Sequence, residues 1–300
     1  MRLIHPRFWP TWILLGIAFV VTASSAVWRQ RIAALAGRYS GILFPRRTHI
    51  ARTNLQLCFP DQTEQALKQQ LKDTMTSTAE GLLETGLAWL HPKRLKHLET
   101  EFEGLSHLER QPGDPGILII GMHFATLDLA GALLSAQHPF HVMYKRNQNP
   151  VIEWVMRTGR AHHYPAAIDH TNIRRVIRAL DRGAAVWYAP DQDYGPQNAV
   201  FAPFFGHPAA TTTAANRIAR ITGAKVVFLS HYRLITGRYR IVIEPPSAPF
   251  PSKDDVQDST LINQHIEGAI RQAPEQYWWV HRRFKSAVDG RSNRYEQVEP

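Results

Sequence analysis

Cysteine is almost absent from this chain of 300 residues, because Cys58 is its only one. An intrachain disulfide is therefore impossible, and the sequence makes no demand for an oxidising compartment. No internal repeat or low-complexity tract interrupts a composition that is 44% hydrophobic, which is enough for one large domain or two small ones with a real core. Four histidines come without a cysteine nearby, which argues against a zinc site at His138, His141, His162 and His163.

Acidic residues are in deficit, with 25 Asp and Glu against 35 Lys and Arg, so the formal charge is +10. Such a balance favours anionic partners: phosphates, acidic proteins, nucleic acid or an anionic membrane face. No recognisable nucleic-acid motif is present, so nucleic acid is not an expected partner.

Charge is missing altogether from Phe8 to Trp28, a run of twenty-one residues. As a helix this run spans about 30 Å and matches a bilayer core. A cleaved signal peptide is the alternative, with a cleavage site within Ala23–Ala26. The arginines that follow the run outnumber those before it, which favours a cytoplasmic main body. We therefore expect residues 1–30 to be a single-pass membrane anchor and residues 31–300 to form the main domain.

Short apolar runs alternate with helical patterns over most of the chain. Five runs predict strands: Ile117–Ile120, Phe140–Tyr144, Ala184–Ala189, Ala224–Tyr232 and Tyr239–Glu244. Six segments predict helices: Gln62–Trp89, Leu127–Leu134, Val151–Ala161, Asn172–Arg182, Thr213–Thr222 and Leu261–Ala273. The pattern predicts an α/β fold, a mixed sheet flanked by helices, preceded by the N-terminal transmembrane helix.

His123 lies at a strand-to-helix turn, five positions before Asp128. If His123 precedes the first helical turn, Asp128 can accept the Nδ1 proton and leave Nε2 to take a proton from a hydroxyl. The alternative is a buried histidine that merely bonds a nearby carboxylate.

Two further groups of side chains follow predicted strands. Asp191, Gln192 and Asp193 come at a strand's carboxyl end, where α/β sheets commonly bind ligands, although aspartates next to proline and glycine also shape turns. An Asp-x-Asp pair can also hold a divalent metal for a nucleotide-sugar enzyme. A cationic and aromatic group, suited to phosphate or lipid headgroups, includes Tyr144, Lys145, Arg146, Arg157 and Arg160.

Five segments in this order resemble the lipid A biosynthesis late acyltransferases, the lauroyl, palmitoleoyl and myristoyl transferase group. They are HFATLD, EWVMRTGR, AVWYAPDQDYGP, FAPFFG with the following ATTT, and APEQYWWVHRRFK, and the resemblance runs from about Pro6 to Lys285. Several lauroyl-type members carry glutamate at the position of Asp128 and arginine at that of Lys145.

The resemblance implies a glycerolipid acyltransferase-like fold and transfer of a fatty acyl chain from acyl carrier protein to a 3-hydroxyacyl hydroxyl. The acceptor would be a lipid A precursor of the Kdo₂-lipid IVA type, at the cytoplasmic face of the bacterial inner membrane. No metal or cofactor is implied. His123 would be the general base and Asp128 its orienter. Substrate binding would fall to a further group: Arg160, Tyr144, Lys145, Arg146, Asp191, Gln192 and Asp193.

Three alternatives remain open at this stage. One is an acyltransferase with the same dyad that acts on a lysophospholipid or aminolipid. Another is a non-catalytic lipid-binding protein of the same fold. The last is a metal-dependent glycosyltransferase built on Asp191 and Asp193.

Overall fold

The computed structural model describes residues 2–290 and 294–296 of the chain. Its α-helices are α1 Trp9–Ala23, α2 Ala26–Arg38, α3 Ser40–Leu43, α4 Pro45–Cys58, α5 Glu64–Leu90, α6 Leu127–Gln137, α7 Pro150–Ala161, α8 Ile173–Asp181, α9 Ala214–Thr222 and α10 Asp255–Gln272. Its strands are β1 Thr100–Glu103, β2 Ile117–Ile120, β3 His141–Tyr144, β4 Ala167–Asp169, β5 Ala185–Tyr188, β6 Ala199–Phe204, β7 His207–Thr212, β8 Lys225–Arg233 and β9 Tyr239–Glu244.

Seven of the strands form one mixed sheet in the order β1-β9-β8-β2-β5-β3-β4, while β6 and β7 form a separate hairpin. Within the large sheet only β8 and β9 pair antiparallel. Helices cover both faces, and the alternate residues of β2 enter two different cores: Leu118 and Ile120 one of them, Ile117 and Ile119 the other. Burial on both faces explains why β2 is a continuous apolar run. The predicted α/β fold, a mixed sheet flanked by helices, is confirmed.

Some elements differ from the sequence prediction. The strands β1 and β4, the hairpin β6–β7 and the helices α2 to α4 were not predicted. Helix α10 begins at Asp255 and not at Leu261, because the Asp254 side chain accepts hydrogen bonds from the backbone N–H groups of Val256 and Gln257. Near the N-terminus, Pro6–Ala23 is long and apolar enough to cross a membrane by length and composition alone.

The long helix α5 is tied to the sheet by a buried ion-pair network around Arg233 at the end of β8. Arg233 donates from Nε and Nη2 to the two carboxylate oxygens of Glu84, at 2.7 Å each, and its Nη1 lies 3.0 Å from Glu80. The Tyr239 hydroxyl donates to Glu84 as well, at 2.6 Å. The Glu84 side chain is 5% exposed and that of Arg233 is 10% exposed, so water cannot replace either partner.

Replacing Glu84 with glutamine is expected to lower the free energy of unfolding by roughly 3 kcal/mol, because one carboxylate is removed from a buried guanidinium. Thermal and urea unfolding would measure the loss. Glu101→Gln is the matched control, since its ion pair with Arg238 is about two-fifths exposed and is expected to be worth less than about 1 kcal/mol. Equal losses for the two variants would contradict a stabilising role for the buried network.

Candidate active site

His123 lies in the short connection between β2 and α6, and its imidazole is held by Asp191. The Nδ1 atom is 2.6 Å from Oδ1 of Asp191, and the backbone N–H of His123 donates to Oδ2 of the same carboxylate at 2.8 Å. Asp191 is 1% exposed, whereas a quarter of the His123 side chain reaches solvent. A carboxylate at Nδ1 fixes the proton on that nitrogen and leaves Nε2 to act on a substrate hydroxyl.

The sheet register explains why two residues 68 positions apart meet. β2 and β5 are parallel neighbours, and Ile120 pairs with Tyr188. His123 and Asp191 each come three residues after that pair, so both leave the sheet at the same edge. Carboxyl ends of parallel strands are the usual place for ligand sites in such sheets.

Each of the two groups favours the charged form of the other. Burial alone would lower the pKa of His123, but the charge and hydrogen bond of Asp191 raise it above its ordinary value, with a smaller contribution from Asp128. Burial opposes ionisation of Asp191, yet its contacts with His123 keep the pKa of Asp191 below its ordinary value. An imidazolium formed during a reaction would therefore be stabilised where it forms.

Asp128 does not form the expected hydrogen bond with His123. Its Oδ1 accepts from Nε and Nη2 of Arg160, at 3.1 and 3.0 Å, and from the indole N–H of Trp89 at 3.2 Å. Asp128 is the second residue of α6, so its side chain projects from the first helical turn towards α5 and α7. The predicted pairing of Asp128 with Nδ1 was therefore wrong, because the carboxylate of Asp191, from the segment after β5, occupies that position.

A polar cleft opens beside His123, with a volume of ≈ 1120 Å³ that includes space open to solvent. Lys145, Gln192 and Asp193 line it, and all three belong to the group that the sequence predicted to bind substrate. Tyr144 lines it too, and its hydroxyl donates to Glu153 at 3.0 Å. Further members of the wall come from distant parts of the chain: His170, Trp187, Tyr188, Tyr194, His281 and Lys285.

Two more of the predicted binding residues, Arg146 and Asp193, are engaged by other parts of the protein. Arg146 forms an ion pair with Asp169 at the end of β4, at 2.7 Å, and is not among the residues that line the cleft. Asp193 accepts from the backbone N–H and the hydroxyl of Ser286, at 2.6 and 2.9 Å, so it fastens the C-terminal segment. Since Asp191 is engaged by His123, the two aspartates face different partners, and the arrangement does not favour a shared metal ion.

A mostly apolar pocket, of ≈ 380 Å³ including space open to solvent, adjoins the cleft, and Met143 and Trp187 line both. Its other residues include Leu127, Gly131, Phe140, Val142, Tyr164 and Leu229. Two buried nitrogens of this lining, Nε1 of Trp187 and Nε2 of His231, have no hydrogen-bond partner among the described residues. Burial lowers the pKa of His231 to about 4, so its imidazole is neutral. The pocket thus offers an apolar surface with a few unsatisfied polar groups.

Sequence comparison assigns the family. A profile of the bacterial lipid A biosynthesis acyltransferases matches residues 1–286. The chain belongs to this family. Three Escherichia coli relatives illustrate the similarity. The lipid A biosynthesis lauroyltransferase is 37% identical over 98% of this chain and 97% of its own length. The palmitoleoyltransferase is 35% identical (97% and 96%), and the myristoyltransferase 27% (98% and 93%).

Among solved structures, the 1-acyl-sn-glycerophosphate acyltransferase of Thermotoga maritima is similar over 82% of this chain and 97% of its own. The sequence identity is 15% and the TM-score is 0.38.

In this acyltransferase, sequence reasoning missed the residues that the fold brings in from afar. Asp191 was expected to bind substrate, and nothing near His123 in the chain pointed to it as the partner of Nδ1. Trp187, a neighbour of His123 at 6.2 Å between ring centroids, was treated only as part of a strand. The available signal was that His123 and Asp191 each follow the end of a predicted strand closely, three residues after Ile120 and two residues after Ala189.

Proposed function

We propose that the chain transfers a fatty acyl group from acyl carrier protein to a 3-hydroxyacyl hydroxyl of a Kdo-bearing lipid A precursor of the Kdo₂-lipid IVA type. The observation that carries this proposal is the His123–Asp191 pair beside an apolar pocket and a polar cleft that share two wall residues. The acyl chain needs the apolar pocket, and the phosphorylated, sugar-bearing acceptor needs the polar cleft. The names of the E. coli relatives, which are lauroyl-, palmitoleoyl- and myristoyltransferases of lipid A biosynthesis, support acyl transfer onto a lipid A-type acceptor.

His123 acts as general base in the reaction that we propose. Its Nε2 takes the proton of the acceptor hydroxyl as the oxygen attacks the thioester carbonyl, while Asp191 holds the ring and stabilises the imidazolium. The tetrahedral intermediate then collapses with cleavage of the C–S bond. The departing thiolate takes the proton back from Nε2, and an ester and a free thiol result. Because the donor is already a thioester, the reaction needs neither a metal nor a covalent enzyme intermediate.

The charge that develops on the carbonyl oxygen needs donors within a largely dry site. Trp187 and His231 supply buried nitrogens that are not used by the described parts of the protein, and both line the apolar pocket. Arg160 lines the same pocket and is held by Asp128. We assign these groups to the acyl side of the reaction. Removing one such donor typically costs about 3 kcal/mol of transition-state stabilisation.

The proposed partners match the charge of the protein. Acyl carrier protein is acidic and the acceptor carries phosphates, while this chain has a formal charge of +10. Lys145, His170 and Lys285 bring basic side chains to the polar cleft. Complementary charge raises the rate of encounter and selects partners more than it adds affinity. We propose residues 1–30 as a membrane anchor, residues 31–300 as the catalytic domain, and the cytoplasmic face of the bacterial inner membrane as its location.

Mass spectrometry of acceptor lipids tests the proposal. Purified full-length protein is incubated with acyl carrier protein thioesters of several chain lengths and with Kdo₂-lipid IVA, a lysophospholipid or an aminolipid, each with and without EDTA. The expected result is the mass of one added acyl chain on Kdo₂-lipid IVA, unaffected by EDTA. Acylation of another acceptor alone would overturn the acceptor assignment. Transfer that EDTA abolishes would overturn the metal-free mechanism, and no transfer to any acceptor would overturn the reaction.

A further inference from the structure

Helix α1 is packed against the catalytic domain along its length. Near its start the Thr11 hydroxyl accepts a hydrogen bond from the Asn149 amide at 3.0 Å, and the rings of Trp12 and Trp154 are 5.9 Å apart. Its other end is held by three contacts: Phe19 with the ring of His91, Thr22 with Gly86, and the Ala23 carbonyl with Arg94. Both ends of α1 therefore lie on the surface of one domain.

The Thr22 contact depends on a close approach of α1 to α5. A Cβ atom at Gly86 would lie 2.6 Å from Cγ2 of Thr22, which leaves no room for a side chain there. Thr22 is 1% exposed and its hydroxyl donates to the Ala18 carbonyl at 2.7 Å. Such fitted packing indicates that α1, within the proposed anchor, is fixed on the catalytic domain and is not loosely tethered to it.

Packing over the full length limits how α1 can sit in a membrane. Length does not decide the question, because α1 and the short helical turn before it, Pro6–Ala23, are together long enough to cross a membrane. If α1 crossed the bilayer, the parts of α5 and α7 beside it would have to enter the bilayer too. Those parts carry or adjoin exposed charges such as Lys93, Arg94 and Arg157. Charged side chains at the centre of a bilayer are costly and are rare there.

The outer side of α1 is apolar. Four residues spaced like one face of a helix are each 54–70% exposed: Trp9, Ile13, Ile17 and Val20. Polar side chains of α1 that make contacts, Thr11 and Thr22, lie on the opposite side, towards the domain. The helix thus has one face for protein and one face that water would solvate poorly.

A second apolar stripe continues this surface on α2. Its members again follow helical spacing and are 37–58% exposed: Trp28, Ile32, Leu35 and Tyr39. Helix α2 faces α5 through Gly37, which lies against Thr76, so the stripe points outward. Exposed apolar residues extend it through α3, at Ile42, Leu43 and Phe44.

The charge of this region identifies the surface that it fits. The first sixty residues contain no aspartate or glutamate, but they contain eight arginines: Arg2, Arg7, Arg29, Arg31, Arg38, Arg46, Arg47 and Arg52. On α2, the exposed Arg31 and Arg38 flank the apolar stripe. Basic residues beside a stripe that contains tryptophan and tyrosine suit the headgroup region of an anionic leaflet.

We propose that α1 does not cross the bilayer and that the outer faces of α1, α2 and α3 form one surface seated in a single anionic leaflet. This replaces the single crossing expected from hydropathy, because hydropathy cannot register that α1 is docked on the domain. The surface adjoins an apolar groove between α2 and α5, of ≈ 700 Å³ including space open to solvent. The groove reaches Trp278, whose backbone N–H donates to the His123 carbonyl at 2.9 Å. Lipid in the same leaflet is thereby brought close to the active site.

Cysteine labelling from each side of the membrane tests the topology of α1. In a Cys58→Ser background, His5→Cys reports on the start of the chain and Lys253→Cys on the catalytic domain; residues 5 and 253 are both exposed. A membrane-impermeant maleimide is applied to spheroplasts and to inverted vesicles. The expected result is that His5→Cys and Lys253→Cys are labelled from the same face of the membrane. Labelling of the two cysteines from opposite faces would overturn the proposal.

Depth of the α2 stripe is tested in anionic phospholipid vesicles. A bimane group on Leu35→Cys is expected to lose fluorescence to nitroxide-labelled lipids. Ala34→Cys is the matched control, since residue 34 is exposed but lies more than 90° away from the stripe around the helix. Equal quenching at the two positions, or none at residue 35, would overturn the role of α2. Neither test depends on acyl transfer, so a failure here is distinct from a failure of the proposed reaction.

Discussion

Replacing His123 with alanine is expected to lower kcat for acyl transfer by roughly 10²- to 10⁴-fold, because the hydroxyl loses its general base. The expected effect on KM is small, since His123 is only one of many residues that line the cleft. Because the variant also removes the ring that pairs with the buried Asp191, thermal unfolding is measured beside the wild type, so that a loss of rate is not mistaken for a loss of folded protein. Steady-state rates with a fixed thioester and Kdo₂-lipid IVA would measure the loss.

A matched control is His162→Ala, which removes an exposed histidine from the turn after α7 and is expected to leave the rate unchanged. The same pair of variants separates an enzyme from a non-catalytic lipid-binding protein. If cells that depend on the protein grow normally with His123→Ala, the biological role does not need the base. Full activity of His123→Ala in the purified system would remove His123 from the mechanism.

The central strands and helices of the fold were predicted well from the sequence, because local patterns in the chain indicate each of them. The buried run of β2, the strands β3 and β5 and the helices between them each have a period or a boundary residue that is visible in the chain. The hairpin of β6 and β7 has neither. Its turn places Phe205 at φ 49° and Gly206 at φ 76°, where asparagine or aspartate before the glycine is the usual signal. Pro203 and Pro208, one in each strand, argue against strands as well.

The active site was predicted only in part for a related reason. His123 could be recognised from its position after β2, but its partner could not, because the register of β2 against β5 is a tertiary property. Spacing along the chain favoured Asp128, which the fold uses to hold Arg160. Residues that follow different strands could be listed as candidates, as Lys145 and Gln192 were. Which of them turn towards His123 depends on packing that no single segment encodes.

The assignment of Asp191 leads to the other large expected effect. Asp191→Asn keeps the size of the side chain but removes the charge that holds the proton on Nδ1 and stabilises the imidazolium. In comparable histidine–aspartate pairs this change lowers kcat on the order of 10⁴-fold. We expect a loss approaching that magnitude for Asp191→Asn. We expect a smaller one for Asp128→Asn, because Asp128 acts on His123 through its charge and through Arg160 and makes no hydrogen bond to the ring.

The pH dependence of the residual rate separates a positioning role of Asp191 from a merely structural one. His123 must be neutral to accept a proton, so the rate of the wild type falls as the pH drops through the raised pKa of His123. Without the Asp191 charge, burial is the main remaining influence and lowers that pKa. The acidic limb of the kcat/KM profile should therefore move to lower pH in Asp191→Asn, and move less in Asp128→Asn. A larger shift and a larger loss for Asp128→Asn would make Asp128 the orienting carboxylate after all, in a conformation in which His123 turns away from β5.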